Sequence, residues 1–199
     1  MLGEVAIEGA SGEIGRPGRR LRTLLALIAA ACRGTVAVPA LIDEIWAEDL
    51  PERPDGALQV LVSRLRREAP DEGTRLPIVP IGETYRLDLP RDAIDLHRFH
   101  DDAAAALAAD ASRDTVLERG GRALATWRGE PFAGTPVGQR LEVERVRAVD
   151  RRLRLVERMG ATLLDLDRPE EAVELVIADL AADRSRERLA VIAASGLHR

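Results

Sequence analysis

Five side chains suited to polar recognition fall within nine residues of this chain: Gln59, Ser63, Arg64, Arg66 and Arg67, in the run ALQVLVSRLRR. A carboxamide, a hydroxyl and three guanidiniums are rich in hydrogen-bond donors. On a helix they lie mostly away from the stripe formed by Leu58, Val62 and Leu65. Such groups match the acceptors of phosphates and base edges. Arginines near a helix C-terminus also offset the macrodipole and stay solvated without binding anything. The run by itself is compatible with both.

Other constellations offer less chemistry. His97, His100 and Asp101 stand close together, but a structural zinc site wants four ligands and no cysteine is near, so no metal is expected. Gly9, Gly12, Gly15 and Gly18 do not follow the GxGxxG spacing and lead into Arg19, Arg20 and Arg22, so they read as turn glycines. No carboxylates are paired in an apolar setting that would mark a general acid and base. All 29 basic residues are arginine, which excludes Walker-type phosphate loops and Schiff-base or pyridoxal chemistry, all of which need a lysine. The expectation is a chain with no catalytic residue and no cofactor.

A net charge of -5 argues against indiscriminate attraction to polyanions, so any nucleic-acid contact must come from a local basic surface. No apolar run is long enough to span a bilayer, no signal peptide is evident, and Cys32, alone in the chain, reads as a small buried hydrophobe. A cytoplasmic protein without a membrane partner is expected.

The elements that would position the donors can be read along the chain. Val5 and Ile7, then a turn through Ser11 and Gly12, then Ile14 suggest a short hairpin. Leu21 to Cys32 has the apolar face of a helix. The cations at Arg19, Arg20 and Arg22 oppose its dipole, so they either meet phosphate or are solvated. Leu41, Ile42, Ile45 and Trp46 share one face of a second helix ending near Asp49, since Pro51 and Pro54 break the pattern. A third helix starts at Ala57. Leu76, Ile78 and Val79, then Gly82, then Tyr85, Leu87 and Leu89 make a second hairpin. Strand pair, three helices, strand pair is the order of a winged helix-turn-helix.

After a linker at 90 to 95, Asp95 stands where it would cap a helix from Leu96. Ser112 or Asp114 would cap the next, although Gly120 and Gly121 weaken it. One long helix covers Leu141 to Leu164, another begins at Arg168 and Pro169, and Ser185 would cap the last. Helix pairs of about 35 residues resemble tetratricopeptide units, each stacking on a neighbour. The final helix is left with an apolar face for a longer natural chain or another chain to cover. The expected fold is mainly α: a winged-helix domain over 1–90 with small β-hairpins, then an all-α tetratricopeptide-like domain over 91–199.

The sequence LIDEIW, ALQVLVSRLRR, YRLD, DLHRF and WRGEPF, in that order, resembles the Streptomyces antibiotic regulatory protein family. These transcriptional regulators join a response-regulator-type winged helix to a bacterial transcriptional activator domain. The resemblance implies that the helix from Ala57 lies in the major groove, with Gln59 a base contact and Ser63, Arg64, Arg66 and Arg67 base or phosphate contacts. It assigns Thr84 and Arg86 to the wing, and Arg20 joins the expected phosphate contacts. It further implies a secondary-metabolism activator that binds direct repeats in double-stranded DNA as side-by-side copies, with a homodimer on DNA among its assemblies, and that recruits RNA polymerase. His97 becomes a packing residue.

Departures from the family pattern are specific. Asp55 and Gly56 replace an Arg-Asn pair, Leu61 replaces a polar residue, the wing tip reads Ile81, Gly82, Glu83 without a cation, and Ala37 replaces a serine cap. Residues 1–90 hold 11 Arg against 14 Asp plus Glu, a net of -3. The alternative reading is a degenerate or truncated family member serving as a protein-interaction scaffold without DNA binding. Replacing Arg64 and Arg66 together is expected to cost DNA binding and leave the fold intact.

Overall fold

The computed structural model of the chain describes every residue except 11, 13, 32, 33, 48, 70–73, 183–185 and 199. The turn assignment of Ser11, the burial of Cys32 and the cap assigned to Ser185 lie outside the described residues. The chain forms two compact units: Met1–Arg98 with Trp127–Val146, and Phe99–Thr126 with Arg147–Arg199.

The first unit begins with an antiparallel hairpin, β1 (Ile7–Glu8) and β2 (Ile14–Gly15), in which Ile7 faces Gly15. Three helices follow: α1 (Arg19–Ala30), α2 (Val38–Trp46) and α3 (Pro54–Leu65). Each packs against the other two. Leu24 and Ile28 of α1, Leu41 of α2, and Leu58, Val62 and Leu65 of α3 are all buried, as their helical spacing requires. Helix α3 starts three residues before the expected Ala57, because Pro54 occupies its first turn, where a missing N–H costs nothing. Helix α2 stops at Trp46, short of Asp49, where Ala47 takes a positive φ of 45°.

The second hairpin is β4 (Ile78–Ile81) and β5 (Thr84–Leu87), turned through Gly82 and Glu83, with Gly82 at φ 57°. Two residues the periodicity does not reveal, β3 (Val36–Ala37), pair with β5 to make a three-stranded sheet ordered β3-β5-β4. Ala37 makes no side-chain cap for α2, as its residue type dictates. The carbonyl of Glu83 instead accepts the Val38 N–H at 3.0 Å, so the wing tip satisfies one of the helix's orphan donors.

Helix α4 (Asp95–Leu107) opens on a buried carboxylate, only 8% exposed. Asp95 Oδ1 accepts from the Leu96 N–H at 2.8 Å, while Oδ2 accepts from the Met1 ammonium (2.7 Å), the Leu2 N–H (3.2 Å) and Arg128 Nη2 (3.0 Å). Backbone bonds fasten the same stretch: Arg128 N–H to Leu2 O, Phe132 N–H to Met1 O and Ala133 N–H to Gly3 O. The His97 Nε2–H donates to the Ala29 carbonyl at 2.8 Å, which gives that residue its packing role. Glu44 of α2 accepts the Arg140 N–H at 2.8 Å and so caps the start of α6 (Gln139–Asp165). A Cβ at Gly138 would sit 1.9 Å from a Glu44 carboxylate oxygen, so a side chain there would push Glu44 from this position.

The second unit is helical. Helix α5 (Arg113–Ala125) is capped by Ser112, whose hydroxyl accepts the Thr115 N–H at 3.1 Å. Gly120, expected only to weaken this helix, is a close-approach site: a Cβ would lie 2.4 Å from Met159 Sδ of α6. Val156 and Leu163 of α6 join Ala172 and Val176 of α7 (Pro169–Ala182) and Leu189, Ile192 and Ala193 of α8 (Glu187–Leu197) in one core. His100 Nδ1 accepts from Arg151 at 3.1 Å. Among the described residues no helix is long and apolar enough to cross a membrane.

Burial pushes the Asp95 carboxyl up, but the Met1 ammonium, then the Leu2 N–H and Arg128, outweigh it and hold the group below the usual carboxylate range. An acid lowered in the folded state stabilises the fold above its unfolded value, and that contribution disappears as pH falls through the folded value. Asp95→Asn is expected to lower the unfolding free energy at neutral pH by about 3 kcal/mol. Urea titrations should also show a flatter pH dependence for the variant below about pH 5. Equal midpoints for the two proteins would remove Asp95 as an anchor.

Candidate nucleic-acid interface

The three-helix arrangement turns one side of α3 inward and leaves the other open. Asp55, Gly56, Gln59, Val60, Ser63, Arg64 and Arg67 are exposed, whereas Leu58, Val62 and Leu65 are buried. Spacings of one, three and four residues place the exposed set on a single face a little over three turns long. Asp55 lies in the first turn and Arg64 in the last, so the acidic end is the N-terminal one and the basic end the C-terminal one, each matched to the helix dipole.

The three arginines of this stretch do different things. Arg64 is exposed, and among the described residues its guanidinium has no protein partner. Arg67 follows the C-cap of α3, is exposed, and its Nε–H donates back to the Ser63 carbonyl of the helix at 3.2 Å. Arg66 is half-buried and turned to the sheet, where Nε and Nη2 both donate to the Ile78 carbonyl of β4, at 2.9 and 2.6 Å. Its own backbone carbonyl accepts the Leu76 N–H at 2.9 Å. Arg66 therefore ties the end of α3 to the first strand of the wing. Replacing it together with Arg64 removes these two hydrogen bonds as well as an exposed cation.

The remaining predicted contacts also have local partners. Thr84 Oγ1 donates to the Ile81 carbonyl at 2.7 Å across the wing turn. Arg86 lies 3.3 Å from Asp88, just past the end of its strand. Arg20 pairs with Asp49 at 2.9 Å, both side chains being exposed, and Arg22 pairs with Glu4 at 2.8 Å. These pairs account for cations at the start of α1, where the dipole alone disfavours them. Exposed ion pairs of this kind hold weakly, so Arg20 can exchange Asp49 for another anion at little cost. At the wing tip Glu83 is exposed, as is Ile81 beside it. The structure thus gathers Gln59, Ser63, Arg64 and Arg67 on one surface and separates Arg66 from them. It adds Val60, which the spacing of Leu58, Val62 and Leu65 already leaves on the opposite side.

Comparison with known proteins gives this geometry a family. Residues 94–199 match the family described as bacterial transcriptional activator domain. The chain is 35% identical over 185 residues to the regulatory protein AfsR of Streptomyces coelicolor, an alignment that takes in 89% of this chain and 18% of AfsR. It is 27% identical over 207 residues to the transcriptional regulator RedD of the same organism, covering all of this chain and 58% of RedD. It is also 27% identical over 182 residues to the regulatory protein DnrI of Streptomyces peucetius, covering 84% of this chain and 65% of DnrI. The chain therefore spans less than two thirds of the length of these relatives. Among solved structures its fold is similar to that of Mycobacterium tuberculosis EmbR, determined in complex with a low-affinity phosphopeptide. The TM-score is 0.80 at 21% identity, over 97% of this chain and 54% of EmbR.

The unequal arginines lead to an expected outcome in stability. Arg66→Ala should destabilise the first unit by about 1.5–3 kcal/mol, the range for hydrogen bonds to a charged group. Arg64→Ala should stay within about 0.5 kcal/mol of wild type, as an exposed and unpartnered side chain does. Chemical denaturation of the two variants side by side checks this, and equal losses would contradict the assignment.

Proposed function

The chain belongs to the Streptomyces antibiotic regulatory protein family, which consists of transcriptional regulators and not enzymes. From that premise we propose that it binds double-stranded DNA sequence-specifically through α3 and activates transcription by recruiting RNA polymerase, in the manner of a secondary-metabolism regulator. The observation that carries this reading is the exposed face of α3, where Gln59, Ser63, Arg64 and Arg67 stand together while the opposite face is buried. A helix of this width fits the major groove, where amide and guanidinium groups distinguish base edges. Gln59 is the base contact; Ser63, Arg64 and Arg67 are base or phosphate contacts. Thr84 and Arg86 serve the wing and Arg20 a flanking phosphate, each after releasing its present partner.

The first 90 residues carry a net charge of -3, so affinity comes from this face and not from a general field. Side-by-side copies on direct repeats, as a homodimer on DNA, multiply a modest affinity per copy. The helical second unit supplies the contact with polymerase, and the complex works in the cytoplasm. A second reading, a protein-interaction scaffold that no longer binds DNA, is favoured by two observations. Asp55 and Glu83 are exposed acids at the start of α3 and at the wing tip, and the Arg66 guanidinium is committed to Ile78.

Fluorescence-anisotropy titration of the whole chain with duplexes from upstream of its own gene and with an unrelated duplex separates the two. The regulator reading predicts sequence-selective binding that weakens steeply with salt. Arg64→Ala and Arg67→Ala should each reduce the slope of log affinity against log salt by about one if they meet phosphate. No binding to any duplex at low salt would leave only the scaffold.

A further inference from the structure

The exposed face of α3 contains one side chain that its polar character does not explain. Val60 is 50% exposed, lies beside Gln59 in sequence and is one turn from Arg64. Single exposed apolar residues are common on protein surfaces; the setting of this one is not. One turn before it stands Gly56, also exposed, where an added Cβ would meet nothing within 4 Å. Side chains on a helix lean toward its N-terminus, so Val60 projects along the turn that carries Gly56, where the space beside the backbone is open. A β-branched side chain in a helix has one strongly preferred rotamer. The result is a small, rigid apolar step with open space beside it, bordered by the donors of Gln59, Ser63 and Arg64.

Of the four bases, thymine alone presents a methyl group in the major groove, and apolar side chains recognise it by contact. We propose that Val60, with the space left by Gly56, seats the 5-methyl group of a thymine and makes that base a required part of the sequence this chain reads. The inference rests on the proposal that α3 lies in the major groove. It gives a use to Gly56, whose lack of a side chain leaves that space open.

The test uses the full chain to enrich duplexes from a randomised pool, then replaces each thymine of the enriched sequence in turn with deoxyuridine, which deletes only the 5-methyl group. Wild type is expected to bind about fourfold more weakly when one particular thymine is replaced, the effect of one methyl group leaving an apolar contact. Val60→Ser should bind the thymine duplex about fourfold more weakly and be indifferent to that replacement. Gly56→Ala, which fills the seat with a residue that favours the helix, should behave likewise, with circular dichroism unchanged for both variants. If no thymine proves sensitive, or if sensitivity survives in Val60→Ser, the seat does not exist although the chain binds DNA. If no duplex is enriched, the placement of α3 on DNA fails and this inference fails with it.

Discussion

A buried carboxylate in a protein interior persists only where its charge is met, and Asp95 meets its own with four donors, three of them from two distant parts of the chain. The Met1 ammonium and Leu2 N–H come from the start, the Leu96 N–H from the helix it opens, and Arg128 from beyond α5. Removing any partner leaves an uncompensated charge out of water, which is far more costly than never having buried it. The arrangement therefore fixes a register: Leu2, Gly3 and Met1 must lie where the backbone of Arg128, Ala133 and Phe132 can reach them. Glu44 repeats the logic farther on by accepting the Arg140 N–H. The winged-helix unit is thus completed by residues that arrive late in the chain.

On that support, the arginines around α3 are divided by direction. Arg66 points inward and gives two donors to a strand carbonyl, whereas Arg64, two residues earlier, is exposed and has no partner among the described residues. Near-identical neighbours in sequence acquire unlike roles because two positions on a helix differ by about 200°. The acidity of the first 90 residues then makes sense as selectivity. Under the proposed reading, a domain that is not drawn to every polyanion depends on a small face whose groups must match the bases.

Much of this was legible in the sequence. The helical period of Leu58, Val62 and Leu65 identified the buried side of α3, and the Ser112 cap followed from residue type and position. Asp95 was legible as the cap of α4 and His97 as a packing residue, whereas the motif WRGEPF, which holds Arg128 and Phe132, gave no sign of their bonds to Asp95, Leu2 and Met1. What could not be read depends on distant partners. The two-residue strand Val36–Ala37 is too short for any alternation to register. Arg66 finds its acceptor 12 residues away, and the pairing of Arg20 with Asp49 spans 29. The return of Trp127–Val146 to the first unit leaves no periodic trace. Gly120 looked like a defect because helix propensity describes an isolated helix, whereas its neighbour here is Met159.

The central claim is that α3 reads DNA from within the major groove. Dimethyl sulfate interference addresses it most directly, because methylation at guanine N7 projects into that groove while methylation at adenine N3 projects into the minor groove. With the chain and a duplex it selects, guanine N7 methylation within a stretch of about five base pairs for each bound copy, the reach of a single helix in the groove, should abolish binding. Adenine N3 methylation in the same stretch should be tolerated. The reverse pattern, or binding indifferent to both, would contradict the account.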